Sequence, residues 1–221
     1  MTETRGCLTV ESVDTTKLDL NLVADVHSLL KVAIGGRDVE TLESFKHSLV
    51  VTDKLVPLLL VAKKGNVLVG AMFGNYLTEL NAGMVIYAGV RSANRGNGFY
   101  GEMRHKLIKE FHAQSHAHAK TGVDFVISEL ADTSPLIGKY LHEWGAFVVD
   151  CEYLQPAVQG LQENVLNLVI QPVSIGRIEI EFNMENILSE IYREVYRVDR
   201  LDRDDQFQSM IHSLTLSGVS G

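Results

Sequence analysis

Three strand-like runs joined by short turns, standing directly ahead of a glycine-rich turn, restrict this chain more than any other feature. Residues 58–63, 67–77 and 84–91 read as strands, linked by Lys64-Gly65-Asn66 and by a turn at Asn81-Ala82-Gly83. Linkers this short make the three strands antiparallel neighbours. The segment that follows, from Gly96 to Gly101, spells GxGxxG between strand and helix periodicity. A dinucleotide-binding fold would open on that turn and then alternate strands with helices. Antiparallel strands in front of it point to a different architecture, although Glu129 ends the next strand where that fold wants an acidic residue.

The flanking periodicities complete the order of elements. Residues 7–13 alternate as a half-exposed strand. Leu20, Val23, Val26, Leu29, Leu30 and Val32 recur at helical spacing up to Gly35-Gly36. Asp38 then reads as the cap of a second helix carrying Val39, Leu42, Phe45, Leu49 and Val50, with Glu40 and Glu43 in its first turns. Met103, Leu107, Ile108 and Phe111 mark a helix over 96–119, and 123–130 returns to strand character. Ser134-Pro135 suits the start of a short helix through Trp144, stopped by Gly145. Strands are predicted at 147–154 and 165–171, and a change of composition sets off 172–221 as a C-terminal extension. Within that extension a strand at 177–182, an amphipathic helix at 184–198 and a last short helix are expected.

Composition narrows the function. The 221 residues carry a formal charge of −8, which disfavours nucleic acid and suits a cationic substrate. No long apolar run and no basic, apolar leader occur, so a cytoplasmic protein without a membrane segment is expected. Two cysteines, Cys7 and Cys151, are too few for a disulfide scaffold or a thiolate zinc site.

Strand, two helices, three antiparallel strands, helix, strand, helix and two strands is an order that resembles the GNAT family of N-acetyltransferases. In that family a strand ending in valine leads to Arg/Gln-x-x-Gly-x-Gly/Ala at a helix start, and Val90, Arg95, Gly96, Asn97 and Gly98 match it. The resemblance covers roughly residues 7–171. It implies an α/β (α+β) domain with a mixed, mostly antiparallel sheet flanked by helices, over 1–171. Beyond it, Ile187, Ile191, Val195 and Val198 recur at helical spacing with Tyr192 and Tyr196 interleaved, so 172–221 reads as a helical extension serving as core cover, lid or homodimer contact. The resemblance also implies acetyl-CoA, or another acyl-CoA, as cofactor. Unpaired amides and the positive end of a helix dipole would hold the pyrophosphate, Gly96 and Gly98 would permit close approach, and Arg95 would add charge. Phe99, Tyr100 and Ser134 belong to the same expected cofactor-binding set. Tyr100 departs from the family pattern, which has a small residue there; Gly101 follows it.

The reaction implied is transfer of an acyl group, acetyl by default, to a primary amine on a small molecule or peptide by direct attack. In GNAT-like enzymes the two central strands splay, so freed backbone near Ala88, Gly89 and Val90 would hold the cofactor arm. Glu129, across that opening, is the candidate base, with Glu79 and Asp132 as weaker amine-binding candidates. The family's proton-donor tyrosine would lie four residues before Gly145, a position held by Leu141. Tyr140 is its neighbour, about 100° away around a helix, and His142 is another donor candidate. The mismatch leaves a non-catalytic acyl-CoA-binding protein as the alternative. His112, His116 and His118 have no acidic partner in sequence and read as a solvated helix end, with no metal expected. Cys151 has no nucleophile pattern around it.

Overall fold

The computed structural model describes residues 8–36, 38–157, 164–173 and 182–217. Eight strands form its sheet: β1 (Leu8–Val13), β2 (Leu55–Lys64), β3 (Val67–Leu77), β4 (Ala82–Val90), β5 (Phe125–Leu130), β6 (Phe147–Val148), β7 (Tyr153–Gln155) and β8 (Asn164–Pro172). Their order is β1-β2-β3-β4-β5-β8-β6, with β7 also paired to β8. Among the described strands only β4 and β5 run parallel, because the long helix α3 (Phe99–Ala117) carries the chain back across the sheet between them. The mixed, mostly antiparallel sheet expected from the sequence is therefore the one found.

Side-chain alternation assigns a different cover to each face. Leu60, Ala62, Met72, Val85 and Val126 point to α3, where Met103, Leu107 and Phe111 meet them. A Cβ on Gly83 would stand 2.2 Å from the Phe111 ring, so glycine there lets the ring lie on bare strand backbone. Leu59, Val61, Ala71 and Phe73 point the other way, under α1 (Leu20–Ile34) and α2 (Leu42–Ser48). Beside those helices the same face continues as Met84, Phe125 and Ile127. It is covered there by Ile187, Leu188, Ile191, Tyr192 and Tyr196 of the C-terminal extension.

Several boundaries differ from the sequence reading. Thr41, not Asp38, caps α2, its hydroxyl accepting from Ser44 N at 3.2 Å; Glu40 lies ahead of the cap and is buried. The helix predicted from residue 96 starts at Phe99, since Gly96 and Gly98 adopt φ +80° and +83°, which a right-handed helix cannot contain. Ser134-Pro135 forms a turn, and α4 (Ile137–His142) begins after Leu136. The single strand expected over 147–154 breaks into β6 and β7, because Cys151 N bonds back to Val149 O instead of a neighbouring strand. The helix expected over 184–198 is α5 (Met184–Glu190), followed by a wide π-helical turn at Ile191–Val195. A further helix, α6, spans Asp205–Ser217. Cys7 and nearly all of the strand predicted at 177–182 lie outside the described residues.

Candidate active site

The central strands part at a defined place. β4 and β5 pair from Ala82/Phe125 to Val85/Ser128 and no further. At that point β4 has a bulge: Phe73 of β3 faces Tyr87 and Gly74 faces Val85, leaving Ile86 as the extra residue. One extra residue reverses the alternation beyond it, so Tyr87 faces α1 and α2 while Ala88 and Val90 face α3. Ala88, Gly89 and Val90 thus line one lip of an opening, paired with β3 and no longer with β5. Gly89 serves packing, since a Cβ there would come within 2.8 Å of Ala33 on α1.

The glycine-rich turn lies where β4 leads into α3. Among the described residues no side chain caps α3, whose N-cap Gly98 is left-handed, and a Cβ on Gly96 or Gly98 would meet open space. The first amides of a helix have no intrahelical partner, so this terminus is suited to an anion. Asn97 folds back locally, its Nδ2 donating to Asn94 O at 3.2 Å. Arg95 is occupied by the protein itself, with Nε donating to Val90 O at 3.2 Å and Nη2 to Ala33 O at 2.8 Å. Its visible work is to tie the end of β4 to α1. Phe99 is buried in the core under α3.

On the α3 face of the opening, three hydroxyls form a chain. Ser128 Oγ donates to Tyr140 Oη at 2.9 Å, and the Tyr140 and Tyr100 hydroxyl oxygens are 3.0 Å apart. Tyr140 is fully buried, whereas Leu141 is half-buried and His142 exposed. Burial and the neighbouring Tyr140 raise Tyr100 well above an ordinary phenol. Tyr100 also stacks on Trp144, centroids 6.2 Å apart at 8°, so the bulky residue in the motif reaches across to the turn that follows α4. Ser134 stays local, its Oγ accepting from Leu136 N at 3.3 Å.

Alternation puts Glu129 on the opposite face from Ser128. Its two carboxylate oxygens take hydrogen bonds from the hydroxyls of Tyr153 and Tyr196, and Gln155 Nε2 donates to Oε2 at 3.3 Å. Burial raises the Glu129 carboxyl above the usual range, and the three donors oppose it. Tyr196 comes from the extension, and sequence reasoning missed it; its helical-spacing company in the extension marked only a buried face.

Tyr196 also lines a cleft of about 250 Å³ between α2, the bulge and the π-helical turn, together with Glu40, Asn75, Tyr87, Arg193 and Arg197. Asn75 is 4% exposed and its Oδ1 has no partner among the described residues. Burial lifts the Glu40 carboxyl to about 7, against the pull of Ser48 and Arg197. A carboxyl raised on folding stabilises the fold below its ordinary pKa and loses that contribution as pH climbs through the raised value. Glu40→Gln is therefore expected to gain roughly 3 kcal/mol of stability relative to wild type as pH rises from 4.5 to about 7. Urea unfolding across that range measures it, and a pH-independent difference would contradict the buried carboxyl.

The remaining sequence candidates lie elsewhere. Glu79 is exposed, and Asp132 is exposed and accepts from Asn167 Nδ2 at 2.6 Å. His112 accepts from Val123 N, while His116 and His118 bond to backbone carbonyls, fastening the end of α3. Burial pushes the Cys151 thiol up to about 11, away from the reactive thiolate. No helix among the described residues is long and apolar enough to cross a membrane.

No protein-family model matches the chain, and no curated protein matches it in sequence. Solved structures do match. A putative acetyltransferase of the GNAT family from Bacteroides thetaiotaomicron superposes with TM-score 0.61 at 13% identity, covering 86% of this chain and 99% of that one. The ribosomal-protein-S18-alanine N-acetyltransferase of Escherichia coli gives 0.55 at 13% identity, covering 80% and 100%. An aminoglycoside 6′-N-acetyltransferase complexed with coenzyme A gives 0.52 at 13% identity, covering 77% and 99%. Together with the parted central strands, the bulge at Ile86 and the uncapped glycine turn, these likenesses give the chain the fold of the GNAT acetyltransferases.

Proposed function

We propose that the protein is an acyl-CoA-dependent N-acyltransferase, acetyl being the default group and a primary amine the acceptor. One observation carries the reading: the strands part at the bulge in β4, with an uncapped helix N-terminus after one of them and a buried carboxylate on the other, next to the last paired residue. Coenzyme A fits the first of these, because the α3 amides face a space that glycine keeps clear. When bound, it supplies the acyl group as an activated thioester.

The chain's own residues supply the rest. Backbone of Ala88 to Val90, freed from β5, holds the arm and polarises the acyl carbonyl. The cleft beside α2 takes the acceptor, whose ammonium form suits the carboxylate of Glu40 and the unpartnered oxygen of Asn75. Tyr196 lines that cleft and donates to Glu129, so a proton leaving the amine passes through the Tyr196 hydroxyl to the carboxylate. On the other face Tyr140, whose hydroxyl accepts from Ser128 Oγ, returns a proton to the departing thiolate. Acid and base stand on opposite faces of the sheet, so neither neutralises the other.

Thiol release from acetyl-CoA over a panel of small amines and peptide N-termini tests this reading. Amine-dependent release that Tyr196→Phe slows would support it. The alternative, a non-catalytic acyl-CoA-binding protein, is favoured by the Tyr100–Trp144 stack joining α3 to the turn that follows α4. It predicts tight coenzyme A binding with no amine-dependent release.

A further inference from the structure

Arg104, on the second turn of α3, is 5% exposed, and its Nε and Nη2 have no hydrogen-bond partner among the described residues. Its guanidinium lies 3.9 Å from the centroid of the Trp144 ring and 5.1 Å from that of Tyr140. Ring faces attract a cation but accept little from N–H groups that point outward in the guanidinium plane. Burying a charge with unmade hydrogen bonds is costly, so donors like these call for an acceptor. Among the described residues no carboxylate forms a salt bridge with it.

Its position indicates which acceptor. Tyr100, in the first turn of α3, and Tyr140, which touches Ser128 at the last β4–β5 pair, are joined by a hydrogen bond, and Arg104 lies against both Tyr140 and the Trp144 that Tyr100 stacks on. The cluster therefore spans the route from the anion-suited helix terminus to the opening. A ligand anchored by phosphates at the first and reacting at the second must run its connecting arm along it.

We infer that Arg104 is a buried binding residue for a carbonyl oxygen on the pantetheine arm of coenzyme A, reached when Trp144 gives way. This rests on the cofactor reading above. The arm's amides supply acceptors that the protein withholds, and the aromatic stack keeps the cation desolvated and aimed until the arm arrives. Tyr100, the residue that breaks the family pattern, is then one wall of the arm's path.

Calorimetric titration of wild type, Arg104→Met and Arg104→Lys with coenzyme A and with adenosine 3′,5′-bisphosphate, which has the phosphates but no arm, tests the inference. Arg104→Met is expected to weaken coenzyme A about tenfold, the equivalent of ~1.4 kcal/mol, and to leave the bisphosphate unchanged. Arg104→Lys should fall between. The chain has a single tryptophan, so its fluorescence should respond to coenzyme A and not to the bisphosphate. A ligand-free Arg104→Met protein melting no lower than wild type would show that lost affinity is not lost folding. Unchanged coenzyme A affinity in Arg104→Met, or equal weakening of both ligands, would overturn this assignment alone. Failure of wild type to bind coenzyme A would overturn the cofactor reading along with it.

Discussion

Glu129→Gln is expected to lower turnover at least about a hundredfold, the scale of a lost general base, with little effect on coenzyme A affinity. The substitution keeps shape but removes proton affinity and turns one acceptor oxygen into a donor: with the amide oxygen at the Oε2 position Tyr196 and Gln155 can still donate to it, while the Tyr153 hydroxyl turns to accept from the new NH2 group. Burial sets the pH dependence. Because the Glu129 carboxyl is raised above its ordinary range, it protonates, and the base is lost, at a higher pH than a solvated glutamate would be. Activity should therefore fall on the acid side with a midpoint above the normal glutamate value, and this limb should vanish in Glu129→Gln. Tyr196→Phe should remove most of the same rate, and the double variant should be little worse than either, since one proton path is being cut twice. Independent, multiplying losses would argue against the relay. So would an acid limb that persists in Glu129→Gln.

The second large effect belongs to the glycine turn. Gly98→Val is expected to weaken coenzyme A at least about a hundredfold, because a branched side chain would stand where the pyrophosphate meets the first α3 amides. The local backbone cost is separate: φ of +83° penalises any side chain by about 1–2 kcal/mol. Gly65→Val provides the control, since Gly65 has φ +60° and open space around it but sits in the β2–β3 turn. Both variants should lose similar stability in urea, and only Gly98→Val should lose coenzyme A in calorimetry. Retained affinity in Gly98→Val would place the cofactor elsewhere.

Much of the fold is legible along the chain because its signals are local. The Lys64-Gly65-Asn66 turn and the alternation on either side of it yield β2 and β3, and the 3.6-residue spacing of Met103, Leu107 and Phe111 yields α3. Errors fall where two local signals compete. Asp38 and Thr41 are both good caps, and the choice between them turns on whether Glu40 can be buried, which depends on Ser48 and Tyr87. Likewise the split between β6 and β7 depends on pairing with β8, a strand the local sequence cannot see.

The opening feature shows the same division. By itself the sequence determined three antiparallel strands and a glycine-rich helix start that leaves amides unpaired and clear of side chains, because both follow from turn length and from the absence of a Cβ. Only the tertiary structure decided what surrounds them. The bulge at Ile86 is a matter of register between two strands, and it sets which of residues 87–90 face which side. Tyr196 meets Glu129 from 67 residues away, and Tyr100 meets Tyr140 across 40. Contacts of that kind arise from burial and chain crossing, which sum over the whole molecule, so no window of sequence contains them.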